Sequence, residues 1–252
     1  MNNFVVIDSI HGKFIVNRYC DFQAESLIKT GATHIEKELK NIYAVINTLP
    51  NESIALDAGA NIGFVCVPIA NWLKNKNGTI YAFEPQRMLY NALCGTASLN
   101  DLENLHIENV AISDKQGFLK IPKQDYSKPK DFGMVSLTKQ ENISNFDNVK
   151  VTTIDNLKLS RLDFLKIDVE GMEIEVLSGA KKTIRKHRPW CWIEYWMIDK
   201  NLLLNQFKNL NYKIFTMDTL NVLCAPEEKL KESQLNVNAP LFEETAPKKK
   251  YF

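Results

Sequence analysis

The amino-acid sequence predicts an α/β domain: a mostly parallel sheet of seven strands, covered by helices on both faces and finished by a C-terminal antiparallel hairpin. Two patterns predict it. Five short apolar runs, at 53–57, 79–84, 106–112, 163–168 and 189–194, alternate with amphipathic stretches at 63–75, 86–99, 172–187 and 199–210. Strands that alternate with helical periodicity make right-handed crossovers and therefore parallel neighbours. The second pattern closes the series. Runs 212–217 and 221–224 are separated only by Asp218, Thr219 and Leu220, too few residues for a parallel crossover, so these two strands pair as a hairpin.

The flanks read differently. Residues 1–50 form an N-terminal extension or cap, with one helix over about 33–47 and an extended stretch before it. Residues 51–226 form the main domain. Inside it, 113–150 is polar, contains Gly117, Pro122, Pro129 and Gly133 with only weak strands, and reads as a long insert of the kind that forms substrate loops. Residues 227–252 are rich in Lys, Glu and Pro, end near Lys248, Lys249 and Lys250, and read as a polar surface tail.

With 252 residues, 45% of them hydrophobic, the chain can bury one sizeable core. Its net charge of +1 provides no broad field for nucleic acid or an anionic membrane. The first residues lack a basic start followed by a sustained apolar run, and no apolar run reaches bilayer length, so no membrane span and a cytoplasmic protein are expected. Five cysteines (Cys20, Cys66, Cys94, Cys191, Cys224) and four histidines show no metal-ligand spacing, and the thiols read as small hydrophobes. A homo-oligomer stays open.

The sharpest local signal is Leu56-Asp57-Ala58-Gly59-Ala60-Asn61-Ile62-Gly63, which follows a strand and opens a helix. Gly59 permits a tight turn and close approach of a ligand to the backbone, and Gly63 lets the helix pack near the strand. Asp57 is placed to accept from an ammonium group, directly or through water. Glu84, 21 residues beyond Gly63, ends the second strand, where a carboxylate binds both hydroxyls of an adenosine ribose. A nicotinamide enzyme shares this topology and this acid. Its fingerprint, however, puts a glycine where Asn61 stands, to clear space for a pyrophosphate. S-adenosylmethionine has no pyrophosphate, so the pattern favours it as cofactor.

Further motifs follow in order: Phe83-Glu84-Pro85, Asn109-Val110-Ala111-Ile112-Ser113-Asp114, Thr152-Thr153-Ile154-Asp155, Leu165-Lys166-Ile167-Asp168-Val169-Glu170-Gly171-Met172-Glu173, Val176-Leu177-Ser178-Gly179-Ala180, and Arg188-Pro189 leading to Glu194. Together with the glycine turn they make the chain resemble the FkbM family of methyltransferases over more than half its length. The resemblance implies a Rossmann-like class I methyltransferase fold and O-methylation of a sugar, glycolipid or other small-molecule acceptor. It also implies roles: Asp57, Gly59, Asn61 and Gly63 around the methionine part, Glu84 on the ribose, and Asn109, Val110 and Ala111 beside the adenine. Asp168 would reach toward the methionine amine or the acceptor.

An acceptor hydroxyl attacks the sulfonium methyl in line, so the protein mainly aligns the reactants and assists removal of the hydroxyl proton. Lys166 and Asp168 point to one face of the fourth strand, Glu170 follows at its turn, and Glu194 ends the fifth strand among Trp192, Tyr195 and Trp196. These four are the catalytic candidates, with Glu194 preferred on the acceptor side and the aromatics as a sugar-stacking surface. Plainer roles stand beside these: Lys166 as a neutralising partner, Glu170 and Glu173 as acids opening a helix, Asp155 as a cap, the aromatics as core. A divalent cation on Asp168, Glu194 and Glu170 is a secondary alternative, not favoured. The other readings are a noncatalytic S-adenosylmethionine-binding subunit of a larger complex and a nicotinamide-dependent enzyme. Methylation of nucleic acid lacks both the basic field and the Pro-Pro-aromatic motif of amino-methylating enzymes, since the fourth strand ends in Asp168-Val169-Glu170-Gly171.

Overall fold

A computed structural model describes residues 2–20, 23–133 and 145–244. The N-terminal segment folds as a hairpin, β1 (Phe4–Ser9) and β2 (Gly12–Asn17), followed by α1 (Gln23–Thr30) and α2 (Glu36–Ile46). The alternating series is then β3 (Ile54–Ala58), α3 (Cys66–Lys74), β4 (Thr79–Phe83), α4 (Arg87–Leu99) and β5 (Leu105–Glu108). Three short strands come next: β6 (Val110–Ile112), β7 (Gly117–Pro122) and β8 (Phe146–Thr152). The series resumes with β9 (Phe164–Ile167), α5 (Glu173–Ser178), α6 (Lys181–His187), β10 (Trp190–Glu194) and α7 (Lys200–Phe207), and closes with β11 (Tyr212–Thr216), β12 (Asn221–Pro226) and α8 (Glu227–Ser233).

Seven strands form the central sheet in the order β11-β12-β10-β9-β3-β4-β5. All pairs are parallel except those of β12, which runs antiparallel to both β10 and β11. From β3 the chain builds outward through β4 to β5, then returns to lay β9 on the other side of β3. That reversal opens a crevice at the carboxyl ends of β3 and β9, the place where ligands bind such sheets. Alternation along the strands sends Ala55, Phe164 and Trp192 to one core with α2, α3 and α4, and Leu56, Leu165 and Cys191 to a second core with α5, α6 and α7.

Several boundaries depart from expectation. The run 106–112 divides: β5 stays on the central sheet, while β6 leaves it and pairs with β8 in a three-stranded sheet of order β6-β8-β7. The weak strands of the insert are thus real strands, stabilised because Ile121, Val149 and Val151 alternate inward and are buried. Residues 134–144 of that insert lie outside the described residues. The helix over 172–187 breaks into α5 and α6 at Gly179, where a Cβ would stand 2.1 Å from the carbonyl oxygen of Ser113.

Both flanks pack on the main domain. From residues 1–50, Phe14, Val16, Leu39, Ile42 and Val45 lie in one core with the sheet residues Ala55 and Phe164. The segment after 226 contributes apolar residues as well. Leu230, Leu235 and Val237 pack on the core, Leu241 bridges to Phe215, and Phe242 is buried. Spaced apolar residues among charges give that stretch one face to bury. Lys248, Lys249 and Lys250 fall outside the described residues. Among the described residues no helix is long and apolar enough to cross a membrane.

Candidate functional site

At the end of β3 the chain turns through Gly59 with φ +86°, and a Cβ there would stand 1.7 Å from the backbone oxygen of Asp168. Only glycine lets the ends of β3 and β9 approach so closely. Asn61 follows in the left-handed region at φ +51°, which asparagine tolerates better than most residues. Its backbone N–H donates to Glu84 Oε2 at 2.8 Å, and Gln86 N–H donates to Glu84 Oε1 at 2.7 Å. Burial pushes the Glu84 carboxyl up to about 7, against the downward pull of those two N–H bonds. Each oxygen has a further lone pair to offer a ligand.

Around this carboxylate lies a cavity of about 710 Å³, mouth included, lined by Gly59, Asn61, Glu84, Val110, Ala111, Asp168 and Glu170 among the expected residues. Apolar walls from Phe83, Pro85, Ile112, Ile121 and Met172 complete it, with Gln86, Gly133 and Val169. One polar atom of this lining fits a ligand's donor: Asn61 Oδ1 is buried without a hydrogen-bond partner. A group with an ammonium, a ribose diol and a flat apolar ring system matches this lining.

The other expected residues are not part of this lining. Asp57 lies within β3, almost fully buried, in register with Lys166 of β9, whose ammonium is 3.8 Å from Asp57 Oδ1 and 2.9 Å from Asp168 Oδ2. Gly63 serves packing: a Cβ there would meet Leu93 Cδ1 at 2.5 Å. Asn109 does not line the cavity; its amide donates to the carbonyls of Glu84 and Pro85 at 2.8 and 3.0 Å and braces the turn. Glu194 ends β10, and its Oε2 accepts from Trp196 Nε1 at 3.0 Å. Of the proposed stacking surface, Trp192 and Tyr195 are buried and Trp196 alone is exposed, at 38%.

Asp168, Glu170 and Glu194 converge, each offering an oxygen within 4.8 Å of the others'. Burial, then repulsion from Asp168 and Glu173, lifts Glu170 to about 8; burial, then Asp168 and Glu170, lifts Glu194 further. Burial works against the Lys166 ammonium, but Asp168, Asp57 and Glu38 outweigh it and hold the proton firmly. Asp155 is a cap. Its carboxylate accepts from the backbone N–H groups of Lys182 and Thr183 at 3.1 and 2.8 Å, at the start of α6. Glu173 Oε1 accepts from Val169 and Gly171 N–H, fixing the loop that carries Glu170.

Two participants escaped the sequence reading. Gln86 donates through Nε2 to the Phe132 carbonyl at 2.8 Å, tying the insert to the cavity rim; its place two residues after Glu84 was the available signal. Glu38 of α2 accepts from Trp192 Nε1 at 2.9 Å, and nothing in its local sequence marks it.

The family model described as Methyltransferase FkbM domain matches residues 57–214. No curated protein matches the chain. Among solved structures, a methyltransferase FkbM from Methylobacillus flagellatus KT is similar at 20% identity and a TM-score of 0.50, over 69% of this chain. The chain spans only 43% of that protein's length. A tRNA (uracil-54, C5)-methyltransferase from Pyrococcus abyssi with S-adenosyl-L-homocysteine aligns at 12% identity and a TM-score of 0.45, over 89% of this chain and 44% of that one. A SAM dependent methyltransferase from Aquifex aeolicus aligns at 12% identity and a TM-score of 0.43, over 79% and 95%. The glycine turn at Gly59, Glu84, and the acids Asp168, Glu170 and Glu194 all sit in the stretch that the family model covers, and the chain belongs to the FkbM methyltransferase family.

Proposed function

We propose that the protein is an S-adenosylmethionine-dependent O-methyltransferase acting on a hydroxyl of a sugar, glycolipid or other small-molecule acceptor. The observation that carries the donor reading is Glu84, a buried carboxylate fixed by the Asn61 and Gln86 N–H groups at the wall of a cavity whose polar and apolar parts suit an adenosyl amino acid. Bound there, S-adenosylmethionine would supply an electrophilic methyl group on a positively charged sulfur. Glu84 would hold the ribose, Val110 and Ala111 would flank the adenine, and Asn61 and Asp168 would face the amino-acid part. The oxygen acceptor rests on the family resemblance.

Asp168, Glu170 and Glu194 supply the acceptor-side chemistry in this reading. Burial, and then repulsion from neighbouring acids, keeps protons on Glu170 and Glu194 at neutral pH. A positive charge brought beside them favours release of a proton, and the freed carboxylate can then take the acceptor's. Glu194 is the assigned proton acceptor. Glu194→Gln should lower turnover at least tenfold with donor affinity little changed, and intact turnover would remove it from that role. A divalent cation is a second reading, favoured by the convergence of three carboxylate oxygens, the hard donors such ions take. It would polarise the acceptor hydroxyl, and full activity in excess chelator would overturn it.

The decisive experiment incubates the protein and labelled donor with extracted glycans, lipids and small metabolites, and identifies by mass whatever gains a methyl group. Stoichiometric donor binding with no methylated product from any pool would favour a noncatalytic subunit. Methylation at nitrogen or carbon would overturn the O-acceptor.

A further inference from the structure

The N-terminal segment lies outside the matched residues 57–214, yet α2 sends a carboxylate to the charged end of the sheet. Asp57, Lys166 and Trp192 are register partners on β3, β9 and β10, so their side chains form one row on one face. Glu38 meets this row at Trp192, whose Nε1 donates to Glu38 Oε1 at 2.9 Å. From there Glu38 attracts Lys166 and repels Asp168 and Asp218. Lys166 is 4% exposed and sits 2.9 Å from Asp168, which lines the cavity.

A buried ammonium beside a site for a positively charged ligand opposes binding unless acids near it offset its field. Asp168 and Asp57 are the two obvious offsets, and Asp168 also lines the cavity proposed for the donor. Glu38 is the third carboxylate acting on Lys166, and it comes from a different part of the chain. We propose that Glu38 is a positioning residue of the donor site, whose charge offsets Lys166 so that the cavity favours the positively charged donor over its uncharged-sulfur product. The proposal rests on the donor reading above. It makes the N-terminal segment part of the site's electrostatics.

The test compares S-adenosylmethionine with S-adenosylhomocysteine, which lacks the methyl group and the positive charge at sulfur. Glu38→Gln removes the charge yet keeps an oxygen for the Trp192 N–H. Calorimetric titration at pH 8 should show S-adenosylmethionine binding weakened about three- to tenfold, the size expected for one charge acting across several ångströms at an effective dielectric of roughly 20. S-adenosylhomocysteine should change less than twofold. Trp192→Phe removes a hydrogen bond that helps keep Glu38 ionised but leaves the carboxylate, and at pH 9 it should show the same ratio of the two affinities as wild type at that pH. Equal weakening of both ligands by Glu38→Gln, no weakening of either, or a shifted ratio in Trp192→Phe at pH 9 would each overturn the assignment. If Glu38→Gln does not fold, Glu38→Asp, which keeps the charge, must preserve the wild-type ratio; loss of the ratio there overturns the assignment too. Wild-type protein that binds neither ligand would instead defeat the donor reading, and this inference with it.

Discussion

Glu84 carries opposing demands within one side chain. The fold buries it, which raises its proton affinity, and supplies two backbone N–H donors, which lower it; burial prevails and the group titrates near 7 rather than near its ordinary value of 4.5. Between those values the native protein holds a proton that the unfolded chain has released. Stability therefore falls as pH rises from 4.5 to 7, and above 7 the full loss, about 3 kcal/mol, persists. In the ligand-free protein, Glu84→Gln should gain on wild type by about that amount between pH 4 and pH 8, read from urea unfolding; a pH-independent difference would refute it. If Glu84 holds the ribose as proposed, the same substitution should weaken donor binding at least tenfold, because its charge-assisted hydrogen bonds would be lost. Gly59 is the stricter neighbour. Gly59→Ala places a Cβ 1.7 Å from a backbone oxygen, at a positive φ, and neither can yield cheaply. It should lower the thermal midpoint by 10 °C or more, roughly a few kcal/mol in a chain of this size, and a midpoint within 2 °C of wild type would disprove that packing.

Among the elements, α6 shows how a local motif can serve a distant segment. Asp155 sits in a short turn, yet its carboxylate receives the N–H groups of Lys182 and Thr183 and the Thr183 hydroxyl. Asp155→Ala should therefore cost about 1–2 kcal/mol of stability while leaving S-adenosylhomocysteine affinity within twofold; a large loss of affinity at unchanged stability would return Asp155 to the site. The break between α5 and α6 has the same origin in a distant contact. A helical pattern runs through 172–187, but Gly179 lies against the Ser113 carbonyl and accepts from Asp155 N–H, so the chain steps sideways there. The small sheet β6-β8-β7 completes the cavity wall through Val110, Ala111, Ile112 and Ile121.

Across the whole molecule, the N-terminal segment and the central sheet share one core. Phe14 packs edge-on against Phe64 at 5.2 Å between ring centroids, and Leu39, Ile42 and Ile46 are fully buried. A chain lacking residues 1–50 would expose this face as a large apolar patch. It should lose its cooperative thermal transition or aggregate, whereas a sharp melt near the full-length midpoint would show an independent domain. Through Glu38 the same segment also reaches the Trp192–Lys166 row at the charged end of the sheet.

The linear chain already specified the parallel series, the reversed last strand, the glycine turn and the acid two elements later. These are local: periodicity, a left-handed turn and a short hairpin loop are properties of neighbouring residues. Family motifs then marked Val110, Ala111 and Asp168, which do line the cavity. What folding alone settled is which of the remaining groups meet. Asp168, Glu170 and Glu194 converge from two strands, Glu38 arrives from a helix far upstream, and Phe242 folds back from a stretch that reads as tail. Such meetings depend on the order of strands and the burial of scattered apolar residues, and no window of sequence contains both partners.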